Sequence, residues 1–249
     1  MSAPAPTVET YRAAHAAVLA RIADACRRAG RAASEVTLVA VSKTVDPDRL
    51  RDAVAAGVTT LGENRVQETE AKVDQVEGAT WHLVGPLQSN KARRALEVFD
   101  VIETIDSVAL AERLDRIVRE TRGDLARQPV LLQVNVDADP SKVGFAPMDL
   151  PVALDRLSTL DALDLRGLMT VGRLVDSAEA ARPTFGALRE LAERLRAASP
   201  ALGPELSMGM TDDFEVAVEE GATIVRVGRA IFGERPHQHA PGEPDHSHG

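Results

Sequence analysis

The sequence predicts an α/β protein, a single (β/α)8 TIM-type barrel preceded by an N-terminal helix. Three observations lead there. Short apolar, β-branched runs alternate with helix-periodic segments from residue 36 to about 232. These runs lack the polar alternation of a half-exposed sheet, and strands buried on both faces with helical crossovers build a parallel sheet. Eight such repeats within 249 residues suit a closed barrel better than an open doubly wound sheet.

The elements follow in order. Thr7 can cap a first helix whose apolar positions Tyr11, Ala14, Val18 and Ile22 recur at helical spacing, and Gly30 ends it. Strand one is expected over 36–42, and Asp46 with Pro47 starts the helix 47–56. Strand two (59–61) precedes a helix over 63–76, strand three (80–84) a helix over 89–96, and strand four (101–105) a helix over 107–122. Strand five (129–136) is followed after a loop by the helix 148–157, strand six (165–171) by 177–198, and strand seven (205–208) by 212–219. Strand eight covers 223–227, with a short helical turn after Gly228. Residues 1–6 are Pro/Ala-rich and expected to be loose, the barrel domain spans 7–235, and 236–249 reads as a disordered, His-rich tail. A tail of that kind has no surrounding shell to fix metal ligands, so no metal site is expected.

Composition narrows the function classes. Aromatics are only 3%, too few for a surface that stacks bases, and a net charge of -9 repels phosphate backbones, so no nucleic-acid partner is expected. No apolar run is long enough to span a bilayer, and the N-terminus lacks the basic-then-apolar order of a secretory leader; a cytoplasmic protein with no membrane partner is expected. The single cysteine, Cys26, cannot form an internal disulfide and sits in a helical stretch without a nearby base, which reads as structural.

Barrel enzymes keep their chemistry where strands end and the following loops begin. Here the unusual residues gather at those ends: Ser42 and Lys43 after strand one; Gly62, Glu63 and Asn64 after strand two; His82 and Gly85 near the end of strand three. Asn135 and Asp137 end strand five, Met169 and Thr170 strand six, Ser207, Met208 and Gly209 strand seven, and Arg226 and Gly228 strand eight. Side chains alternate along a strand, so Val39, Val41 and Lys43 share a face. If that face is the interior, Lys43 projects into the mouth, where partial desolvation frees the neutral amine that imine formation with an aldehyde needs. The plainer reading is a lysine reaching water at a strand end. Ile224, Arg226 and Gly228 likewise share a face, and the turn after Gly228, with Ser207 and Gly209 opposite, lies where this architecture commonly holds a phosphate. The alternative there is a tight packing turn. Arg226 lies inside an apolar strand and needs an acceptor, either a structural partner such as Glu63 or a cofactor's ring nitrogen. His82 is either a satisfied core residue or a base. Lys91, Arg93 and Arg94 read as a solvated helix face, and Lys142 could reach the mouth or only solvent.

Taken together, the stretches V-A-V-S-K-T with L-G-E-N-R-V-Q-E, W-H-L-V-G-P-L-Q-S-N-K, N-V-D-A-D-P-S-K-V-G-F, R-G-L-M-T-V, and L-S-M-G-M-T-D-D-F-E-V-A-V with V-R-V-G-R-A-I-F-G resemble the pyridoxal 5'-phosphate (PLP) homeostasis protein family. Its members are single-domain PLP-binding proteins related in fold to alanine racemase. The resemblance runs from about Val8 to Arg235 and implies a barrel with PLP at its mouth. By motif position, Lys43 would be the imine lysine and Arg226 would face the pyridine nitrogen. Ser207 and the backbone at Gly228 and Arg229 would hold the phosphate, with Asn64 beside the cofactor; His82, Met208 and Gly209 complete the expected binding set. One position departs from the family pattern: after Gly228 the family commonly has Thr or Ser, and here stands Arg229. The resemblance implies PLP carriage and vitamin B6 homeostasis, with PLP-dependent apo-enzymes as recipients, no catalytic residues, and a monomer or weak homodimer. The competing reading is an amino-acid racemase, which needs a second base opposite Lys43. The related racemases take that base from a tyrosine of an added domain, whereas the only tyrosine here is Tyr11 in the first helix.

Overall fold

The computed structural model describes residues 6–173 and 175–233. The loose termini expected over 1–6 and 236–249 fall, Pro6 aside, outside the described residues. Eight parallel strands close on themselves in sequence order, with β1 paired to both β2 and β8. The strands are β1 (Thr37–Val41), β2 (Thr60–Glu63), β3 (Thr80–Leu83), β4 (Val101–Ile105), β5 (Gln128–Gln133), β6 (Leu163–Met169), β7 (Glu205–Met210) and β8 (Ile224–Val227). The helices are α1 (Val8–Arg28), α2 (Pro47–Ala55), α3 (Val66–Glu70), α4 (Ala92–Val98), α5 (Val108–Arg122), α6 (Leu150–Leu157), α7 (Arg182–Ala198), α8 (Phe214–Glu219) and α9 (Arg229–Phe232). The expected α/β barrel with a leading helix is the observed fold.

Local chemistry explains most boundaries. Thr7 caps α1 by accepting from the Thr10 N–H, Asp46 caps α2 through the Arg49 N–H, and Ser107 caps α5 through the Leu110 N–H. The predicted helix over 63–76 needs correction. Strand β2 runs on to Glu63, α3 starts only at Val66, and after Glu70 the chain tightens into a 3-10 turn at Val73–Gln75. The cause is a buried pair: Glu63 is fully buried, and Lys72 turns back to meet its Oε1 at 2.7 Å.

The wall of the barrel separates two apolar layers. Leu38, Ala40, Leu61, Trp81, Leu83, Val225 and Val227 face outward into one core shared with the helices. Val39, Leu131, Met169 and Ile224 face inward as a second, small cluster. With so few aromatics, this apolar layer is built from Val, Leu, Met and Ile, the kind of side chain that commonly fills barrel interiors. Helix α1 seals the outer ring between α8, α9 and α2. Tyr11 is buried against Phe232, edge to face, and its hydroxyl accepts from Arg49 Nε at 2.9 Å. Arg21 forks onto Glu215 at 2.7 and 2.9 Å and lies over the Phe214 ring. Cys26 is buried within this layer, and burial pushes its thiol up, consistent with a structural role.

Candidate functional site at the barrel mouth

The expected residues converge on the C-terminal ends of the strands. Inward-facing Val39 is in register with Arg226 on the neighbouring strand β8. Two residues beyond the end of β1 lies half-buried Lys43, followed by Thr44 with a positive φ of 67°. Ser42 turns its hydroxyl outward onto Glu63 Oε1 at 2.9 Å, and alternation carried one residue further puts Lys43 on the barrel side. The Ser42 carbonyl accepts from Lys72 Nζ at 3.3 Å, so the buried Glu63–Lys72 pair braces the backbone that carries Lys43. Burial raises the Glu63 carboxyl, against the opposing pull of Lys72 and Ser42.

Asn64 follows β2, half-buried, and Gly85 after β3 packs directly on its backbone; a Cβ on Gly85 would lie 2.3 Å from the Asn64 carbonyl oxygen. Gly228 ends β8 with similar economy, since a Cβ there would stand 3.2 Å from the Val41 carbonyl oxygen. Its N–H is directed at Thr211 Oγ1, 3.4 Å away. Arg229 opens α9 with its side chain half exposed and paired with Asp212 of the loop after β7. The departure at position 229 therefore leaves Thr211 as a hydroxyl beside Gly228.

Strand β7 contributes in a different way from the one its motif suggests. Met208 is fully buried with its side chain in the outer core, so it can present only backbone to the mouth. Gly209, with φ of 88°, sits at a register shift between Ser207 and Met210. Ser207 pairs in register with Ile224, one layer below Arg226. Its hydroxyl accepts from Arg226 Nη1 at 2.5 Å and donates to Glu103 Oε2 at 2.5 Å.

Arg226 needs an acceptor, as expected, but Glu63 is not it: that side chain follows outward-facing Leu61 and lies outside the barrel wall with Lys72. The structure instead runs a polar chain through the interior. His82 Nδ1 meets Glu103 Oε1 at 2.6 Å, Glu103 reaches Ser207, and Ser207 reaches Arg226, whose Nη2 also donates to the Thr170 carbonyl at 2.6 Å. All four linked side chains are buried. Burial raises the Glu103 carboxyl, and His82, Arg226 and Ser207 more than offset it, holding it below its ordinary value. Burial pulls the Arg226 guanidinium down, while Glu103 and Asp213 oppose the shift. Lys142 ties the loop after β5 to the end of β6, donating to the Val171 carbonyl at 3.0 Å and also to that of Gly172. Asn135 is spent inside the same loop, donating to the Asp139 and Lys142 carbonyls. Among the described residues no cluster of three or more His, Cys, Asp or Glu could hold a metal ion, and no helix is long and apolar enough to cross a membrane.

The fold and the mouth together define an alanine-racemase-type barrel: the alanine racemase N-terminal domain family matches residues 18–236. Curated relatives are more specific. The chain is 42% identical over 223 residues to the pyridoxal phosphate homeostasis protein of Pseudomonas aeruginosa, covering 88% of this chain and 94% of that one. It is 39% identical over 220 residues to the protein of the same name from Aquifex aeolicus, covering 88% and 95%. Among solved structures, PipY of Synechococcus elongatus with PLP bound superposes with a TM-score of 0.75 at 43% identity, covering 87% of this chain and all of that one. The chain belongs to the pyridoxal phosphate homeostasis protein family.

Proposed function

We propose that this protein binds PLP at the barrel mouth, holds it as a Schiff base on Lys43, and serves PLP homeostasis without a catalytic cycle of its own. The observation that carries the reading is the pairing of β1 with β8: a half-buried lysine two residues past the end of β1 lies beside the strand that carries a buried arginine, at the end of the barrel where such folds place their ligands. The PLP-bound relative supports the same cofactor.

The residues present fit the group. Gly228 packs closely on Val41, and Thr211 adds a hydroxyl beside its N–H, a setting suited to a phosphate together with the backbone at Gly209 and Arg229. Asn64, held by Gly85, flanks the mouth. Ser207 supports Arg226 from below with its hydroxyl, so toward the phosphate it offers only backbone. PLP supplies an aldehyde for attachment and a ring that can accept electrons. The Lys43 amine adds to the aldehyde carbon and water leaves. Arg226, a fixed cation toward the ring nitrogen, disfavours protonation there, and an unprotonated ring is a poor electron sink. The site thus holds the cofactor while doing little with amino acids, which suits a carrier that supplies PLP-dependent apo-enzymes in the cytoplasm.

Neither of the two candidates for a racemase's second base is placed to serve. The Tyr11 hydroxyl is buried in the outer layer on Arg49, and His82 is committed to Glu103. The test is titration of the purified protein with PLP, read by visible absorbance, alongside an assay of D- and L-alanine interconversion. Saturable colour in the wild type, none in Lys43→Ala, and no turnover are expected. Sustained interconversion of alanine would overturn the homeostasis reading.

A further inference from the structure

The interior polar chain lies behind Arg226 as seen from the mouth, and Glu103, its central member, lies outside the motifs that gave the binding set. Glu103 comes from β4, across the barrel from β8, yet both its oxygens are directed within the barrel: Oε1 to His82 at 2.6 Å and Oε2 to Ser207 at 2.5 Å. The Ser207 hydroxyl has one hydrogen. With Glu103 taking it, the oxygen can only accept from Arg226, and Nη1 is pinned at 2.5 Å while Nη2 is pinned on the Thr170 carbonyl. Glu103 also supplies the counter-charge that a buried guanidinium requires.

We infer that Glu103, acting through Ser207 and itself oriented by His82, is a positioning residue that fixes the direction and charge of Arg226 toward the cofactor's ring nitrogen. This rests on the PLP reading given above. The arrangement places the carboxylate one serine away from the arginine. A carboxylate that touched the ring nitrogen would hold a proton on it; here the group that meets the ring is the cation, and the carboxylate only steadies it. Pre-organised in this way, Arg226 needs no reordering when the cofactor enters.

The experiment uses wild type, Glu103→Gln, Arg226→Met and the double variant, with PLP labelled with 15N at the ring. Two quantities are read: the dissociation constant by absorbance titration and the ring-nitrogen chemical shift by NMR. Glu103→Gln keeps the side-chain shape and removes the charge. It is expected to weaken PLP binding roughly 10-fold or more, the scale of a lost charge-assisted contact, and to move the shift toward that of PLP free in the same buffer. In the Arg226→Met background the same change should alter neither quantity, because its route to the cofactor is gone. Should Glu103→Gln not fold, Ser207→Ala cuts the same link and is expected to move the shift in the same direction. An unchanged shift in the folded single variant overturns the inference, as does an equal loss of affinity with and without Arg226, the mark of a merely structural role. Absence of saturable binding by the wild type overturns the cofactor reading itself, and this inference with it.

Discussion

Replacing Gly85 with Ala tests whether the mouth is built as tightly as described. The new Cβ would lie 2.3 Å from the Asn64 carbonyl oxygen, 2.7 Å from its Cα and 2.8 Å from its carbonyl carbon. All three are backbone atoms, so no side chain can swing aside. The ends of β2 and β3 would have to part by roughly 1 Å to reach ordinary van der Waals separation. Overpacking of this kind costs about 1–3 kcal/mol, and for a chain of this size each kcal/mol lowers Tm by about 2–4 °C. The expected fall is therefore about 2–12 °C, accompanied by weaker PLP binding because Asn64 is displaced. The control is Gly172→Ala, where the nearest atom is Thr184 Cγ2 at 3.7 Å and the added methyl fits. It should change stability by no more than about 0.5 kcal/mol. Thermal unfolding followed by circular dichroism measures both variants. Equal Tm values for wild type and Gly85→Ala would refute the packing argument.

Other perturbations probe the interior chain. Arg226→Leu strips the buried Glu103 carboxylate of one of its two cationic neighbours, leaving it on His82, and should cost up to about 3–5 kcal/mol in urea unfolding; adding Glu103→Gln should recover part of that loss, whereas a further loss would contradict the pairing. The pH dependence follows from the depressed Glu103 carboxyl. Its stabilisation is fully present above the ordinary value of 4.5 and lost as pH falls through the lower folded-state value, so the stability gap between wild type and Glu103→Gln should shrink below pH 4.5. A gap that stays constant through that window would contradict the depressed carboxyl. Thr7→Ala removes the α1 cap and should cost about 0.5–2 kcal/mol, read from the same unfolding curves.

The fold was legible because most strands carry a compact apolar run and five of the helices, α1, α2, α5, α6 and α7, begin with a side-chain cap or a Pro. The predicted spans for β4 and for the helices after β1 and β4 differ from the observed ones by no more than a residue at either end. The segment after β2 was misread because Glu63 looks like a helix-starting acid, when its role is to be buried against Lys72 nine residues later. The position of Lys43, Arg226 and Gly228 at strand ends was legible, since strand alternation and strand ends are local properties. Glu103 was missed although a signal existed. In V-I-E-T-I it shares a face with Val101, which packs against the interior cluster, and a charged residue on that face must be paired. Matching it to Arg226 required the closure of the barrel, which brings β4 and β8 to opposite sides of one small interior, and no local pattern encodes that. Thr211 was passed over for a similar reason: its partner, the Gly228 N–H, is 17 residues away.

The central claim is the covalent anchor, and borohydride reduction of the PLP-treated protein followed by peptide mapping tests it most directly. The account predicts a single reduced pyridoxyl label on the peptide carrying Lys43, absent from Lys43→Ala. A label elsewhere, or unchanged labelling in Lys43→Ala, would contradict it.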